Sequence, residues 1–518
     1  MNTDTSDELD GVDPKVYHRR WWILATMCLS LLMISTAISS VNVAIPTISR
    51  SELRPTATQV VWIVDAYALA FAALLLPAGA IGDRFGRKGA MLTGLVVFAS
   101  AAVACAYMTS TAALIGFRAV MGTGAALIMP STLSLLQSSF PRRERAKAFA
   151  IWAAVAGAAG GVGPLLGGLL VEHFWYGSVF FVSVPFAAVA FAAAAVLAPS
   201  ARDTVTHRFD LGGAALSIVG LAALLTAIIE GPERGWGDPV VVGGIVAAAV
   251  FLLTFVQFER RHREPMLDMG FFRDRRFATA AFGVLLTFFV IFGMIFLLVQ
   301  YLQNVKGYSP LEAGARGLPF PVTIAVVAPR APRVTARIGA KRGVAGGMTI
   351  LALGTLMLSL MGVGTAYAWI VLTLAVAGLG TGLTMAPLTS TIMQSVPAHK
   401  AGVGSAVNDT TREVGAAIGI ATTGSIMNAI YRTNAATSIA ALPEEWRATA
   451  RLNAARALAV VATGEERLGA DVAAGLRRQL RESFVDGAHV ALRVCTAVML
   501  VAAAVTYRFL PDRSGHHE

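Results

Sequence analysis

The stretch that could do chemistry is GVGSAVNDTTREVGAAIGIATTGSIMN, residues 402–428, which is apolar enough to cross a bilayer yet carries three charged residues. Asp409 and Glu413 are four positions apart, so they share one face of a helix and lie about 6 Å apart along its axis. Arg412 follows Asp409 by three positions and can partly neutralise the pair. Burial disfavours the charged form of a carboxyl group and a nearby cation favours it, so a proton and a substrate cation would compete for one negative charge.

A second pair of charges is predicted at membrane depth. Asp65 lies in the apolar run 60–82 and Arg118 in the run 112–134, each five or six residues from the predicted outer end. Both are thus roughly 8 Å deep at 1.5 Å per residue, which makes an Asp65–Arg118 pair geometrically possible. Two structural alternatives stay open, namely a static clasp of Asp65 with Arg118 and a solvated turn at 409–413 near the inner end of its helix.

Long apolar helices must position these charges. Of the 518 residues, 56% are apolar and 14% are charged, and the mean hydropathy is +0.65, which indicates a membrane protein. Runs of 17–25 apolar residues can span a core of about 30 Å, and they lack the alternation of barrel strands. Fourteen helical spans are predicted, at 22–46, 60–82, 89–108, 112–134, 148–170, 178–198, 211–229, 239–257, 278–300, 313–329, 343–363, 367–390, 402–428 and 488–508.

The net charge of +11 raises the question of nucleic-acid binding, and its distribution argues against it. Lys and Arg concentrate before the first span and in alternate loops, whereas the short loops 109–111, 171–177 and 364–366 contain neither. This is the positive-inside pattern, so both termini are expected in the cytoplasm. The segment 431–486 is basic and on the outer side, but long loops are exempt from the rule, and its Ala-rich run at 444–482 predicts one or two surface helices.

The remaining features exclude several other classes. The acidic start of the chain predicts a disordered cytoplasmic tail over residues 1–20, and residues 511–518 form a second tail. Cys28, Cys105 and Cys495 lie inside apolar spans without CxxC spacing, which predicts neither disulfides nor a metal site. No GxxxxGK[ST] loop occurs, so ATP drive is unsupported, and no cofactor is expected beyond the proton as coupling ion.

Three stretches combine glycines with charges or prolines. GAIGDRFGRKGAML (79–92) forms a tight inner turn in which Asp83 can accept charge-assisted hydrogen bonds from an Arg or a helix N-terminus. LIGFRAVMGTGAALIMPSTLSLL (114–136) and AGAAGGVGPLLGGLL (156–170) permit close helix packing and bending, although packing alone explains the glycines equally well. The first stretch contributes Gly79, Asp83, Arg84, Gly86, Arg87 and Lys88, and the third contributes Gly163, Pro164, Gly167 and Gly168.

Residues 79–92 resemble the signature loop of the major facilitator superfamily, secondary transporters built from two six-helix halves, and APRVTARIGAKR (331–342) is a weaker echo of it. Residues 156–170 look like the antiporter motif of proton-driven exporters. Together with 62–88, 296–319 and 401–419, these motifs make the chain from about 22 to 508 resemble the fourteen-span drug:proton antiporter family. Characterised members of that family export lipophilic cations, dyes, biocides and antibiotics.

The resemblance implies an all-α membrane fold with two six-helix halves and two inserted central helices. The expected units are an N-terminal half at 21–200, a linker with two additional helices at 201–276, and a C-terminal half at 277–510 that includes the outer loop 431–486. The implied function is proton-coupled export of lipophilic, cationic or neutral drugs and toxic compounds by alternating access across a bacterial-type inner membrane. The protein is then a transporter and not an enzyme.

The partners so implied are a small-molecule substrate, protons and membrane lipid, with no nucleic acid and a monomeric state. Two alternatives stay open: export of a native metabolite or lipid with drug efflux incidental, and a non-transporting membrane sensor. The resemblance also implies that Asp65, Asp409 and Glu413 carry protons or attract a cationic substrate, because family members have functionally important acids at matching positions. Arg118 would tune Asp65, and the residues of 79–92 would hold the cytoplasmic gate.

Candidates for a substrate cavity are aromatic, amide and thioether side chains, although lipid contact or core packing is an alternative for any one aromatic. They are Asn42, Trp62, Tyr67, Phe289, Phe296, Gln300, Tyr301, Gln303 and Met385. One departure from the family pattern LDxTxVNVALP weakens the case for multivalent cations, since STAISSVNVAIP (35–46) has Ala37 where an acid would stand. A span-10 acid of some relatives also has no counterpart in 313–329.

Overall fold

The structure is a computed structural model that describes residue 10, residues 12–200 and residues 210–511. Across these residues the chain is helical and has no strand. We label the long helical segments in chain order as α1 Pro14–Arg50, α2 Ala57–Phe85, α3 Arg87–Tyr107, α4 Thr111–Ser139, α5 Arg142–His173, α6 Ser178–Leu197, α7 Leu211–Arg234, α8 Pro239–Arg261, α9 Arg275–Gln300, α10 Pro310–Ile338, α11 Ala340–Leu358, α12 Tyr367–Gln394, α13 Ala401–Asn434 and α14 Ala470–Phe509.

Twelve helical segments within the described ranges are long and apolar enough to cross a membrane. The protein is therefore a multi-pass membrane protein. Two of the predicted spans, 148–170 and 343–363, fall on α5 and α11, which are not among the twelve. The predicted count of fourteen crossings is not confirmed.

Several helices begin where the sequence supplies a cap. Thr56 and Gln59 form a reciprocal capping box at the start of α2, which satisfies two backbone N–H groups that lack an intrahelical partner. Ser309 and Glu312 do the same at the start of α10. The caps place the first residues of these helices at the point where the apolar run begins, so local sequence and helix position agree.

The long helices run alternately between two ends of one bundle. One end carries residues 84–88, 139–145 and 395–400, and we call it the basic end; Lys88 there donates a hydrogen bond to the Ala195 carbonyl at 2.6 Å. At the opposite end, Thr111 donates to the Leu53 carbonyl at 3.1 Å and Tyr176 to the Met108 carbonyl at 2.9 Å. Each helix therefore enters at one end and leaves at the other.

The helices form two packed groups that contact each other directly, and a third, smaller group that contacts both. Helices α1–α6 pack mainly against one another, and so do α9–α14. The two groups meet where α2 and α4 pack against α13 and where α5 packs against α10 and α12. The hairpin of α7 and α8 attaches through α7, which packs against both α2 and α13.

Some predicted boundaries differ from the structure. Helix α1 already begins at Pro14, inside the predicted tail 1–20, and α13 continues to Asn434. Helix α14 begins at Ala470, so the predicted outer loop 431–486 is reduced to 435–469, which holds the short helices Ala436–Ala440, Glu444–Leu452, Ala454–Thr463 and Glu465–Leu468. Both long helices carry polar turns beyond their apolar runs, which a hydropathy window omits. Residues 1–9, 11, 201–209 and 512–518 of the predicted tails and linker lie outside the described residues.

Candidate functional site

The charged cluster of α13 lies in the interior of the bundle. Asp409 is only 1% exposed. Its carboxylate accepts hydrogen bonds from Asn408 Nδ2 at 3.1 Å, from Ser405 Oγ at 3.4 Å and from Arg412 Nη1 at 3.4 Å. Asn408 is held in turn by Thr389 of α12, whose hydroxyl donates to the Asn408 amide oxygen at 3.3 Å. The predicted proximity of Asp409 and Arg412 is thus present, and the alternative of a solvated turn does not fit so small an exposure.

The Arg412 guanidinium lies over two aromatic rings. Its central carbon lies 4.7 Å from the ring centre of Phe288 on α9 and 5.1 Å from that of Trp152 on α5. Trp152 is fully buried and donates from its indole to Thr132 Oγ1 at 3.2 Å, which fixes the orientation of the ring. Because Trp152 belongs to α1–α6 and Arg412 to α9–α14, this contact joins the two helix groups.

Glu413 follows Arg412 on α13 and lies toward helices α1–α6. Its carboxylate lies within electrostatic range of the Tyr67 hydroxyl of α2, as does the Arg118 guanidinium of α4. The Arg118 guanidinium lies 4.5 Å from the Tyr67 ring centre. Tyr67 is fully buried, and its hydroxyl has no hydrogen-bond partner among the described residues. Tyr67 is one of the residues predicted to contact substrate. It lies in the core, near Arg118 of α1–α6 and Glu413 of α9–α14.

The structure brings Arg118 of α4 to the part of α2 that carries Asp65. Arg118 is fully buried and donates to the carbonyl oxygens of Ile63 at 2.8 Å and Val64 at 3.4 Å. Asp65 lies within electrostatic range of the Arg118 guanidinium. Arg118 therefore joins α4 to the backbone of α2 directly beside Asp65, and a static clasp between the two side chains stays an alternative.

Asp65 also lines a small cavity that α2 shares with the inserted hairpin. Trp62 and Asp65 of α2 line it together with Glu230 of α7. Glu230 also forms an ion pair with Arg234, one turn further along α7. The sequence analysis did not single out Glu230, which directly follows the predicted span 211–229. An acid near membrane depth indicates a candidate functional residue and could have identified it.

The loop at the basic end joins the two helix groups directly. Asp83 is 8% exposed and accepts hydrogen bonds from the backbone N–H groups of Gly402 at 2.8 Å and Val403 at 3.0 Å, in the first turn of α13. Arg87 pairs with Asp83 at 3.0 Å and donates to the carbonyl oxygens of Ala398 and His399. A carboxylate is favoured at a helix N-terminus, so the loop binds the start of α13.

The other residues of this loop serve its shape or its surface. Gly79 lies against the backbone of α13, where an added Cβ would come within 2.6 Å of the Gly402 carbonyl oxygen. Gly86 has φ +105°, a conformation that favours glycine, and lets α3 start directly after α2. Arg84 is exposed, whereas Lys88 reaches α6. In the similar stretch 331–342, Gly339 has φ +88° and lies at the same kind of junction, between α10 and α11.

The predicted antiporter glycines pack α5 against α1. A Cβ on Gly163 would lie 1.8 Å from Ser39 Oγ, and one on Gly167 would lie 2.9 Å from the Ser40 carbonyl oxygen. Gly168 leaves ordinary contact distance to Leu311 of α10. The side chain of Pro164 lies outside the described residues. These contacts support the packing interpretation and leave the coupling role a prediction.

The predicted substrate residues divide by burial. Tyr67, Phe289, Tyr301 and Met385 are buried, and the Tyr301 hydroxyl donates to the Gly362 carbonyl at 2.7 Å, so none of the four lines an open surface in this conformation. The others are partly or fully accessible, namely Asn42, Trp62, Phe296, Gln300 and Gln303. Contact of either set with substrate remains a prediction.

Comparison with known proteins decides the family. The Major Facilitator Superfamily profile matches residues 27–420 of the chain. The protein belongs to this superfamily. The family predicted from residues 79–92 and the other motifs is thus confirmed, as is the prediction that the protein is a transporter and not an enzyme.

Relatives of this major facilitator transporter are efflux proteins. It is 34% identical over 494 residues to the multidrug resistance protein Stp of Mycobacterium tuberculosis, covering 93% of this chain and 90% of Stp. It is also 34% identical over 491 residues to the multidrug efflux pump LfrA of Mycolicibacterium smegmatis, covering 94% and 95% of the two chains. The crystal structure of the human organic anion transporter MFSD10 (TETRAN) matches with a TM-score of 0.60 at 14% identity over 95% of this chain and 100% of that one, a likeness of fold alone.

Proposed function

We propose that this transporter exports lipophilic cationic or neutral drugs in exchange for protons. Helices α1–α6 and α9–α14 act as the two halves of an alternating-access machine, and α7–α8 are the two inserted helices. The names of Stp and LfrA support multidrug export as the activity. Exchange requires a group that binds either a proton or substrate at the contact between the halves.

The observation that carries the proposal is the position of the Asp409, Arg412 and Glu413 cluster. These charges lie on the face of α13 that meets the other half, with Trp152 beside Arg412 and with Tyr67 within the field of Glu413. Carboxyl groups buried at membrane depth are costly unless function retains them. A proton on Asp409 or Glu413 removes the negative charge that a cationic substrate would otherwise bind, so loading of one expels the other.

The two halves are in contact at the basic end in the present conformation. At the basic end, Asp83 and Arg87 bind the start of α13, and Gln137 of α4 donates to the Met393 carbonyl of α12 at 3.2 Å. These contacts join the halves at the side that the charge rule assigns to the cytoplasm. Their release would open a path from that side.

The topology that fits this mechanism has fourteen crossings with both termini in the cytoplasm. Helix α5 has 32 residues and helix α11 has 19, which correspond to about 48 Å and about 28 Å at 1.5 Å per residue. Both lengths suit a hydrocarbon core of about 30 Å. Membrane lipid surrounds a monomer that holds the whole transport path.

The test is transport in proteoliposomes under an imposed pH gradient, with cationic, neutral and lipidic compounds compared. We expect drug accumulation that depends on the gradient in the wild type and falls at least about tenfold in the combined Asp409→Asn, Glu413→Gln variant, because an amide cannot exchange a proton. Export of a native metabolite or lipid predicts that only the lipidic or metabolite compounds move.

The matched control is Glu482→Gln, since Glu482 pairs with Arg478 on the surface of α14 and is 51% exposed. This variant should transport like the wild type. Transport that ignores the pH gradient in the wild type would overturn antiport, and undiminished coupling in the double variant would overturn the assigned residues. No movement of any compound would favour the sensor.

A further inference from the structure

The surroundings of Arg412 have the chemistry of a cation site. Two aromatic faces, Phe288 at 4.7 Å and Trp152 at 5.1 Å, flank the guanidinium, and the Asp409 carboxylate lies 3.4 Å from its Nη1. Aromatic faces attract cations electrostatically, most strongly where water is excluded. All four side chains are more than nine-tenths buried.

The guanidinium does not fill this site as a fixed structural ion would. Its Nε hydrogen is buried with no partner among the described residues, and its contact with Asp409 is near the long limit for a hydrogen bond. An unpartnered buried donor costs free energy, so the arrangement is poorly satisfied for a permanent clasp. Arg412 is nevertheless the cation that neutralises Asp409 while the basic end is closed.

We propose that Trp152, Phe288 and Asp409 form a binding site for planar organic cations, in which Arg412 is a tethered competitor. The site deepens the proposed function and rests on it, since the cation would be the exported substrate. Planarity matters because a guanidinium is flat and lies over aromatic faces that a flat aromatic cation would also fit. Arg412 occupies the site when no substrate is bound and leaves it when a cation arrives between the halves.

Removing the competing charge should therefore improve cation binding. Ethidium, a planar cation, is titrated into the purified full chain in a detergent with an uncharged headgroup, without any pH gradient. We expect Arg412→Gln to bind ethidium about 5- to 30-fold more tightly than the wild type, and Arg412→Lys to stay close to the wild type. An unchanged or weaker affinity in Arg412→Gln would overturn the proposal.

A second substitution separates this site from general attraction of cations to a more negative protein. In Arg412→Gln, Trp152→Leu, the gain in affinity should disappear, whereas Arg412→Gln, Trp152→Phe should keep most of it. A gain that persists with Leu overturns the site. Folding is checked by gel filtration and by the thermal unfolding midpoint of each variant.

If the variants of Arg412 do not fold, the proposal is tested with Arg412 unchanged. Ethidium binding is then compared between Trp152→Leu and Trp152→Phe. Ethidium affinity should fall at least about fivefold with Leu and remain with Phe, and equal affinities would overturn the proposal. Because binding is measured without a gradient, failure of proton-driven transport leaves this result standing, and failure of this result leaves proton-driven export of other compounds standing.

Discussion

At the scale of single residues, the two buried aspartates of the contact between the halves differ in how well they are satisfied. Asp83 accepts two backbone N–H groups and Arg87 at 2.8 to 3.0 Å, whereas the contacts of Asp409 span 3.1 to 3.4 Å. Short charge-assisted bonds hold a carboxylate ionised, and long ones stabilise it less. Asp83 is therefore suited to holding the two halves together at the basic end. Asp409 is suited to exchanging a proton for a cation.

Asp83→Asn should loosen the basic end. The amide keeps the shape of Asp83 but loses the charge that binds the start of α13 and Arg87. A loss of about 1.5 kcal/mol would shift the balance of closed and open conformations about tenfold toward open. The measurement is the rate at which a thiol reagent labels Val403→Cys, a position beside Asp83 that is 4% exposed in this conformation, in a background without the three native cysteines.

Arg84→Gln is the matched control, because Arg84 lies in the same loop and is exposed. Its labelling rate should equal that of the unchanged loop. Equal rates for Asp83→Asn and its parent would show that this carboxylate does not hold the halves together.

At the scale of elements, glycines bring α13 against α9 at backbone contact. A Cβ on Gly415 would lie 2.3 Å from the Leu285 carbonyl oxygen, and one on Gly419 would lie 2.2 Å from that of Phe289. Such approaches are typical of small residues at helix interfaces in membranes. They place Phe288 beside Arg412, so the cation site depends on a packing feature and not on charged residues alone.

Gly419→Ala should destabilise the protein, because a backbone oxygen cannot move aside for the added methyl group without separating the helices. We expect a cost of about 1 to 3 kcal/mol in the free energy of unfolding, read as a lower thermal midpoint. Gly346→Ala is the control, since no atom lies within 4 Å of the added Cβ in α11. A midpoint for Gly419→Ala as high as that of the control contradicts the close approach.

At the scale of the whole molecule, the two helix groups are not equivalent. The loop after α2 carries Asp83, whereas the matching position three residues before Gly339 is Ala336. Only the first loop can therefore bind a helix N-terminus with a carboxylate. The inserted hairpin adds a further asymmetry, because Trp236, between α7 and α8, donates from its indole to Ser425 Oγ of α13 at 2.9 Å.

The hairpin should thus stabilise the placement of α13. Trp236→Phe and Ser425→Ala each remove the same hydrogen bond, at a cost of about 1 kcal/mol apiece. Because the bond is lost only once, the double variant should cost less than the total of the two single variants. Thermal unfolding of the four proteins completes the cycle, and strict additivity would rule out coupling between the hairpin and α13.

Local patterns in the sequence were enough to place most helices, the family motifs and the acids of α13. Hydropathy, caps such as Thr56 and the 79–92 loop depend on neighbouring residues, so they can be read along the chain. The predicted spans omitted the polar outer turns of α13 and α14, because these turns continue the helices beyond the apolar run.

Tertiary structure alone decided which side chains meet. Trp152 and Phe288 around Arg412, Glu230 beside Asp65 and the burial of Tyr67 all join residues far apart in the chain. The relative rotation and approach of whole helices set these contacts, and no spacing within one helix encodes them. The sequence thus determined where charge enters the membrane, and helix packing determined what that charge contacts.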